Sequence, residues 1–508
     1  MTDDLRETDR GDLPVVAAEG AIALLAGIAA VAGSYAAVGF TPSFVAAPVS
    51  TFVVATTPSA VITWSIQTLG DLGDQLGFLL ALTLTVLLFA VTAAIGTRAA
   101  DAIPAPVPAS LAVGLFCVVP ALALTGALIS ALGAGIGAGL VVAAASFGST
   151  ATIGSAGSTG SGTDSISAAR RSLLQAIAGT IAIGGIGGVL GSGRGSGGDT
   201  PKPSGPVAAD VGSLLAEAED KSLAVGGLEG LVSEDFYQVD INSVDPVVSA
   251  SDWNLRVTGA AEEELSFSLS DLKSMDKEHR FITLRCVGES LNGKKMDNAL
   301  WTGVPISALL DGTIVSDECC VMFRAADNYY EEFPLAALKD GFLAYEMNGR
   351  PLPRSHGYPV RALIPGHWGE INVKWITEIQ VLEQKAEGYW EKNGWHGTGP
   401  VNTVAKLHAV NHLDGGNVQV GGHAYAGTRG IERVEVSTDG GSSWTDATLS
   451  EPLPGTDVWR QWEYTYEPSG SHEVVVRATD GEGNRQPREQ ENAFPNGASG
   501  WVSKRIEP

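Results

Sequence analysis

FITLRCVGE, residues Phe281 to Glu289, reads as an apolar strand that ends on a cysteine and runs into a loop. At that junction the Cys286 side chain can leave the sheet and face a site, although pattern alone gives an arbitrary cysteine the commoner fate of a buried structural residue. The strand it ends, Arg280 to Cys286, is accompanied by further strand-like runs at Asn254 to Thr258, Cys320 to Arg324 and Ile376 to Leu382. They are mixed with short helical stretches at Leu269 to Met275 and Ile306 to Leu310, which predicts an α+β domain. From Val401 onward the period becomes two. Val434 and Val436 alternate with Arg433, Glu435 and Ser437, Asp439-Gly440-Gly441 supplies a hairpin turn, and Val474, Val476 and Ala478 alternate before Asp480-Gly481. This predicts a C-terminal all-β sandwich whose immunoglobulin likeness is architectural, since it has no cysteine pair.

The other end of the chain is different in kind. Of 508 residues, 44% are hydrophobic, which is enough chain for several domains. Between Gly20 and Thr97 the only charges are Asp71 and Asp74, and between Ala99 and Gly162 the only one is Asp101. Such runs can cross a bilayer. Spans are predicted at 20–40, 76–97, 109–130, 131–148 and 172–191, an N-terminal α-helical transmembrane bundle. The third and fourth share one apolar stretch divided by Ser130 and a ladder of Gly133, Gly135, Gly137 and Gly139. Residues 43–66 read as a sixth span or a re-entrant segment, with Pro48 and Pro58 favouring a loop near the surface. Arg6, Arg10, Arg98, Arg170 and Arg171 all fall on one side if there are five spans, which predicts a multi-pass protein of the cell membrane with everything after residue 191 outside the cytoplasm. Arg170-Arg171 before an apolar helix also fits a twin-arginine export signal, with an ordinary positive-inside anchor as the other reading. Ser/Gly-rich runs at 147–169 and 191–206 read as tethers. The expected division is an anchor over 1–191, a linker over 192–224, an α+β domain over 225–399 and a sandwich over 400–508.

The net charge is −25, and most of the acidic excess lies after residue 200. Such a surface repels phosphate backbones and excludes nucleic acid as a partner, and it suits a halophilic source. All eight histidines lie beyond residue 278, and Met1 is the only methionine before Met275, so the apolar helices offer no axial ligands and no haem is expected there. The near absence of ionisable groups in the spans favours an anchor in membrane lipid over a transporter. Cys117, Cys319 and Cys320 read as structural, and no Cys/His spacing suits zinc.

The stretch TLRCVGE (Thr283 to Glu289), then NALWTGVPISALL (Asn298 to Leu310), then LAYEMNGRPLPRSHGYPVRALIPGHWGEINVKWI (Leu343 to Ile376), resembles the molybdopterin-dependent oxidoreductases of the sulfite oxidase family. IERVEVSTDGGSSW (Ile431 to Trp444) and HEVVVRATDGEGN (His472 to Asn484) resemble that family's C-terminal immunoglobulin-like dimerisation domain. The resemblance implies a molybdenum-molybdopterin cofactor with Cys286 as the protein's metal ligand and catalytic cysteine, a soft thiolate suited to such a centre. It implies cofactor contacts from His356, Arg361 and Lys374, an Arg fork and a Lys charge suiting the pterin phosphate. It also implies a less specific contact from Asp327, for which a solvated loop acid is the alternative. A homodimer through the C-terminal domain is a further implication.

The match departs from the sulfite-specific members at three places. Glu289-Ser290-Leu291-Asn292 stands where they carry an arginine pair, Trp395 stands where they carry a tyrosine, and an arginine expected near Phe236-Tyr237-Gln238-Val239 is absent. A small dianion would lack its usual partners unless Lys294, Lys295, Arg285 or Arg324 compensate. The resemblance extends to no haem domain, so electrons are expected to pass to or from a separate electron-transfer protein or a quinone-linked partner. The expected function is oxygen-atom transfer to or from a small substrate that is sulfite-like, a sulfoxide or another oxyanion. The alternative is a non-catalytic, membrane-anchored surface binding protein.

Overall fold

Two compact units emerge from the computed structural model, which describes residues 13–103, 107–150, 163–195, 206–310 and 319–507. Arg6, Arg10 and most of both expected tethers lie outside the described residues. The first unit spans Met1–Thr57, Asp71–Gly198 and Ile241–Val247, and the second takes Pro58–Gly70, Asp199–Asp240 and Val248–Pro508.

The apolar sequence folds into helices α1 (Leu13–Val38), α2 (Ala46–Thr56), α3 (Ser59–Thr68), α4 (Asp71–Ala102), α5 (Ala109–Thr125), α6 (Leu128–Thr150) and α7 (Thr163–Gly195). Among the described residues, four of these contain segments long and apolar enough to cross a membrane: Ala17–Val38, Gln75–Ala102, Leu128–Ser146 and Ser172–Leu190. The expected boundary at residue 130 is corrected. Gly126, at φ +64°, ends α5 after 17 residues, because a left-handed position is open to glycine and stops a helix. The glycine ladder is no divide; it lies inside α6 and lets three backbones meet. A Cβ on Gly137 or Gly133 would lie 2.1 or 2.4 Å from the carbonyls of Ala29 and Gly33 in α1. One on Gly135 or Gly139 would lie 2.6 or 2.9 Å from those of Gly114 and Ser110 in α5. Alternate glycines thus serve opposite faces, the small-residue route to close helix packing. The Ser34 and Ser130 hydroxyls hydrogen-bond across the first of these contacts at 2.9 Å. Residues 43–66, read as a sixth span or a re-entrant segment with a surface loop favoured, include two helices bent by 103° at Thr57-Pro58, the form of a broken span or re-entrant segment, where proline forces the preceding residue out of the helical region. α2 belongs to the first unit and α3 to the second.

A linker over 192–224 is also corrected, because Ala209–Lys221 forms helix α8. Val211, Leu214, Leu215 and Ala218 fall on one helical face and join an apolar cluster with Trp459, Trp368 and Leu300. Asp210 in the first turn and Lys221 in the last complement the helix dipole.

The α+β part is built from β1 (Asn254–Gly259), β2 (Leu265–Ser268), α9 (Leu269–Ser274), β3 (Glu278–Arg285), β4 (Met296–Pro305), α10 (Ile306–Leu310), β5 (Cys320–Ala325), β6 (Tyr330–Pro334), β7 (Phe342–Met347), β8 (Arg350–Pro351), β9 (Arg361–Leu363) and β10 (Ile376–Leu382). One sheet runs β2-β1-β10-β5-β6, with β1 and β10 parallel. The other is antiparallel, β3-β4-β7-β8, with β9 also on β7. Leu255, Val257, Phe323, Leu343 and Ile379 fill the core to which both sheets contribute. Cys319 and Cys320, expected as separate structural residues, are joined as a disulfide. A bridge between neighbours closes almost no loop of chain and so restricts the unfolded chain little.

The C-terminal part contains β11 (Val404–Ala405), β12 (Ala409–His412), β13 (Val418–Tyr425), β14 (Ile431–Ser437), β15 (Thr445–Asp446), β16 (Thr448–Leu449), β17 (Arg460–Tyr466), β18 (His472–Asp480) and β19 (Val502–Ile506). Sheets β11-β13-β17-β16 and β15-β14-β18-β19 face each other over Val420, Trp462, Val434, Val436, Val474, Val476 and Ala478, a β-sandwich in which the alternating valines point inward.

A buried ion cluster ties the two parts together. Glu289 Oε1 accepts from Arg285 Nε at 2.9 Å and from Lys406 Nζ at 2.6 Å, and its Oε2 accepts from the Lys295 amide at 2.9 Å. Lys406 also donates to the Gly293 carbonyl, and Arg285 to the carbonyls of Asn402 and Ala498. Removing one member of such a buried set leaves unpaired charge and costs about 3–5 kcal/mol. Glu289→Gln should therefore lower the thermal unfolding temperature of the purified chain clearly, whereas Glu432→Gln, at an exposed strand position, should leave it unchanged.

Candidate functional site

Cys286 follows β3 directly, and its amide donates to the Lys295 carbonyl at 3.0 Å. The loop beyond it is held by Glu289, whose amide turns back to the Cys286 carbonyl at 3.4 Å. The half-buried thiol is free. Burial pushes it up to about 11, with Lys295 opposing and Glu289 and Glu370 adding to the shift. Without a bound cation it stays protonated at neutral pH, and a metal would draw out the thiolate. Among the described residues no group of three or more His, Cys, Asp and Glu is placed to hold a metal ion.

A cationic cradle lies beside it. Arg361 opens β9 and is buried, with Nη2 donating to the Asn372 carbonyl at 3.0 Å and the guanidinium over the Trp301 ring. Its Nε is buried with no protein partner. Burial holds its pKa down to about 10. Lys374 precedes β10; its ammonium is paired with the Asp240 carboxylate and donates to the Ser355 carbonyl at 3.1 Å. His356, in the short turn Arg354–His356, is pushed down to about 3 by burial and then by the positive Arg361 and Lys374, so it is neutral at physiological pH. Gly357, at φ +105°, packs these together; a Cβ there would lie 3.0 Å from that of Arg361 and 3.1 Å from the Lys374 backbone.

Tyr237 links thiol and cradle. Its hydroxyl is held well above its ordinary range by burial, with Cys286 adding to the shift and Arg361 opposing it. Gly369 permits the approach, since a Cβ there would lie 2.8 Å from the Tyr237 hydroxyl and 3.2 Å from the Arg285 carbonyl. Asp327 sits at the far edge. Burial raises it to about 6, the Tyr329 amide donates to it at 3.0 Å, Asp240 raises it further and Lys374 lowers it. Cys286, His356, Arg361, Lys374 and Asp327 thus form one connected neighbourhood. The buried Arg361 with the partly buried Lys374 and His356 can hold a phosphate, and the unpartnered Arg361 Nε needs an acceptor such as a phosphate oxygen.

Sequence reasoning missed Asp240, Tyr237 and Glu370. Glu370 is buried, and burial raises it to about 8, with Glu391 adding to the shift and the Gly397 amide opposing it. Tyr237 lies in the segment 236–239, where the sequence signals only an absent arginine, whereas Asp240 and Glu370 acquire their places through distant segments. Of the residues expected to compensate for missing arginines, Arg285 is committed to Glu289, and Arg324 bonds Gln380 and stacks on Tyr330. Lys295 is the cation that acts on Cys286. Trp395 is buried edge-on to Trp390 and Phe494, with its Nε1 unpartnered.

Comparison with known proteins agrees with this geometry. The oxidoreductase molybdopterin binding domain family matches residues 242–390, and the Mo-co oxidoreductase dimerisation domain family matches residues 400–494. Mitochondrial sulfite oxidase of Mus musculus is 30% identical over 297 residues, 48% of this chain and 54% of that protein. Sulfite oxidase of Arabidopsis thaliana is 26% identical over 325 residues, covering 51% and 82%. The sulfane dehydrogenase SoxCD structure from Paracoccus pantotrophus is similar at a TM-score of 0.49 and 20% identity, over 55% of this chain and 82% of that one. The chain spans about half the length of the mitochondrial sulfite oxidase it matches. Residues 242–390 and 400–494 thus carry a molybdopterin-binding oxidoreductase domain followed by its dimerisation domain, similar to those of the sulfite oxidases.

Proposed function

We propose that this protein is a membrane-anchored molybdenum oxidoreductase that transfers an oxygen atom to or from a small sulfite-like, sulfoxide or other oxyanion substrate. The observation that carries this reading is the free Cys286 thiol, which acts electrostatically on Tyr237 together with Arg361 of the Arg361, His356 and Lys374 cradle. In this reading Cys286 supplies the thiolate ligand, while Arg361, Lys374 and neutral His356 donate to the pterin phosphate. Asp327 lines the pterin side. The cofactor supplies two-electron oxygen-atom chemistry, and the chain binds and orients it. Removing oxygen from a substrate as water takes two protons and two electrons, and the reverse reaction releases them. The electrons pass to or from a separate electron-transfer protein or a quinone-linked partner. The sandwich, immunoglobulin-like in architecture, joins two copies as a homodimer. Cys286→Ser replaces a soft ligand with a harder, less acidic one; it should abolish turnover with an artificial electron carrier while leaving thermal unfolding near that of the unaltered chain. Activity close to normal in this variant would remove Cys286 from the reaction.

We also propose that α1, α4, α5, α6 and α7 form a transmembrane bundle and that residues 200–508 lie outside the cytoplasm. Arg98 and the Arg170-Arg171 pair on one side of such a bundle support this orientation, and the acidic surface of the later part suits high salt. Protease added to intact cells should release a soluble fragment containing the molybdopterin domain. Cleavage only after lysis would reverse the orientation.

A further inference from the structure

Helix α3 stands in sequence between apolar helices, yet it packs with the molybdopterin unit. The Thr63 hydroxyl donates to the Asn393 carbonyl at 3.2 Å, in the turn Glu391–Asn393 just before Trp395. One turn along, Ile66 joins the apolar cluster of Val287, Leu291, Trp390, Trp395 and Phe494. The contact is local to the thiol. A Cβ built on Gly288 would lie 3.4 Å from Ile66 Cγ2, 3.6 Å from Trp395 Cη2 and 3.9 Å from Cys286 Sγ. Ile66, Trp395 and the metal-binding sulfur therefore converge on one face of Gly288, and a residue far away in sequence forms a wall of the Cys286 site.

The chemistry of that wall is opposite to what a small dianion needs. Ile66, Val287, Leu291 and Trp395 present hydrocarbon, which binds apolar groups and leaves an anion without the donors it loses from water. Arg285 is already spoken for by Glu289 and two carbonyls. Lys295 is the cation acting on Cys286, and the buried carboxyl of Glu370 acts on it with the opposite sign.

We propose that α3 is a built-in wall of the active site and that Ile66 is a specificity-determining residue, selecting an uncharged substrate with apolar substituents, of the sulfoxide class, over small oxyanions. The choice of substrate class rests on the oxidoreductase reading above, whereas the wall itself does not. The test separates them by using the cofactor-free, full-length chain in detergent and following Cys286 alkylation by peptide mass spectrometry with neutral iodoacetamide and anionic iodoacetate. Cys286 in the unaltered chain should strongly favour iodoacetamide, relative to a free-thiol standard. Ile66→Ala should raise both rates several-fold, and Ile66→Lys should shift the preference several-fold toward iodoacetate. Thr63→Ala, which frees α3 from Asn393 without touching the wall, should also speed labelling, while Trp64→Ala, at an exposed position on the same helix, should not. Rates and preferences unchanged in both Ile66 variants and in Thr63→Ala would overturn the wall whether or not the chain is active. In the molybdenum-loaded protein, Ile66→Lys should raise KM for a dialkyl sulfoxide and lower it for sulfite. Altered labelling without that shift would retain the wall and overturn the substrate class.

Discussion

A buried carboxylate between two buried cations, Glu289 with Arg285 and Lys406, holds the loop that follows Cys286 against the sandwich. The three side chains come from the end of β3, the loop after it and the first part of the sandwich. None is stable there alone, because an isolated charge in a protein interior carries a large desolvation cost. Burial pulls Lys406 down to about 8 even with Glu289 opposing the shift. Together they fix the loop in which Cys286 lies three residues from Glu289, and they make the sandwich a structural part of the site. The same loop takes a second hold from Asn292, which exchanges two hydrogen bonds with the Leu407 backbone.

The site is assembled from segments that are distant in sequence and short of partners in space. The thiol is protonated by virtue of burial, His356 is neutral for the same reason, and Arg361 has a buried nitrogen with no protein acceptor. Each of these is a cost in the protein alone. A cation at the sulfur and an anionic phosphate at the cradle would relieve them, which is the physical sense in which the pocket fits a metal-pterin-phosphate group. Lys374 is held in readiness by Asp240, and Gly357 and Gly369 keep the walls close enough for these groups to act on one another.

Much of this was legible from the residues. Period-two valines gave β14 and β18, the apolar run ending at Arg285 gave β3, and Ile306–Leu310 is helix α10. The motif around Cys286, His356, Arg361 and Lys374 pointed to residues that the fold brings into one neighbourhood. What was misread had identifiable physical causes. The glycine ladder reads as a break because glycine is a poor helix former in water, whereas among apolar helices it serves close packing. The helical face of Val211, Leu214, Leu215 and Ala218 was present in the sequence but masked by the Gly/Ser-rich run before it. Asp240, Glu370 and Ile66 carry no local signal, since their roles exist only once remote strands and helices meet.

The central claim, that the Cys286 neighbourhood is a molybdopterin site, is tested most directly by elemental analysis of the protein purified from cells supplied with molybdate, with the pterin measured on the same sample. The account predicts about one molybdenum and one pterin per chain, since one thiolate ligates one metal and one cradle holds one phosphate. Protein that is folded, as judged by a sharp thermal transition, yet contains neither molybdenum nor pterin would contradict it.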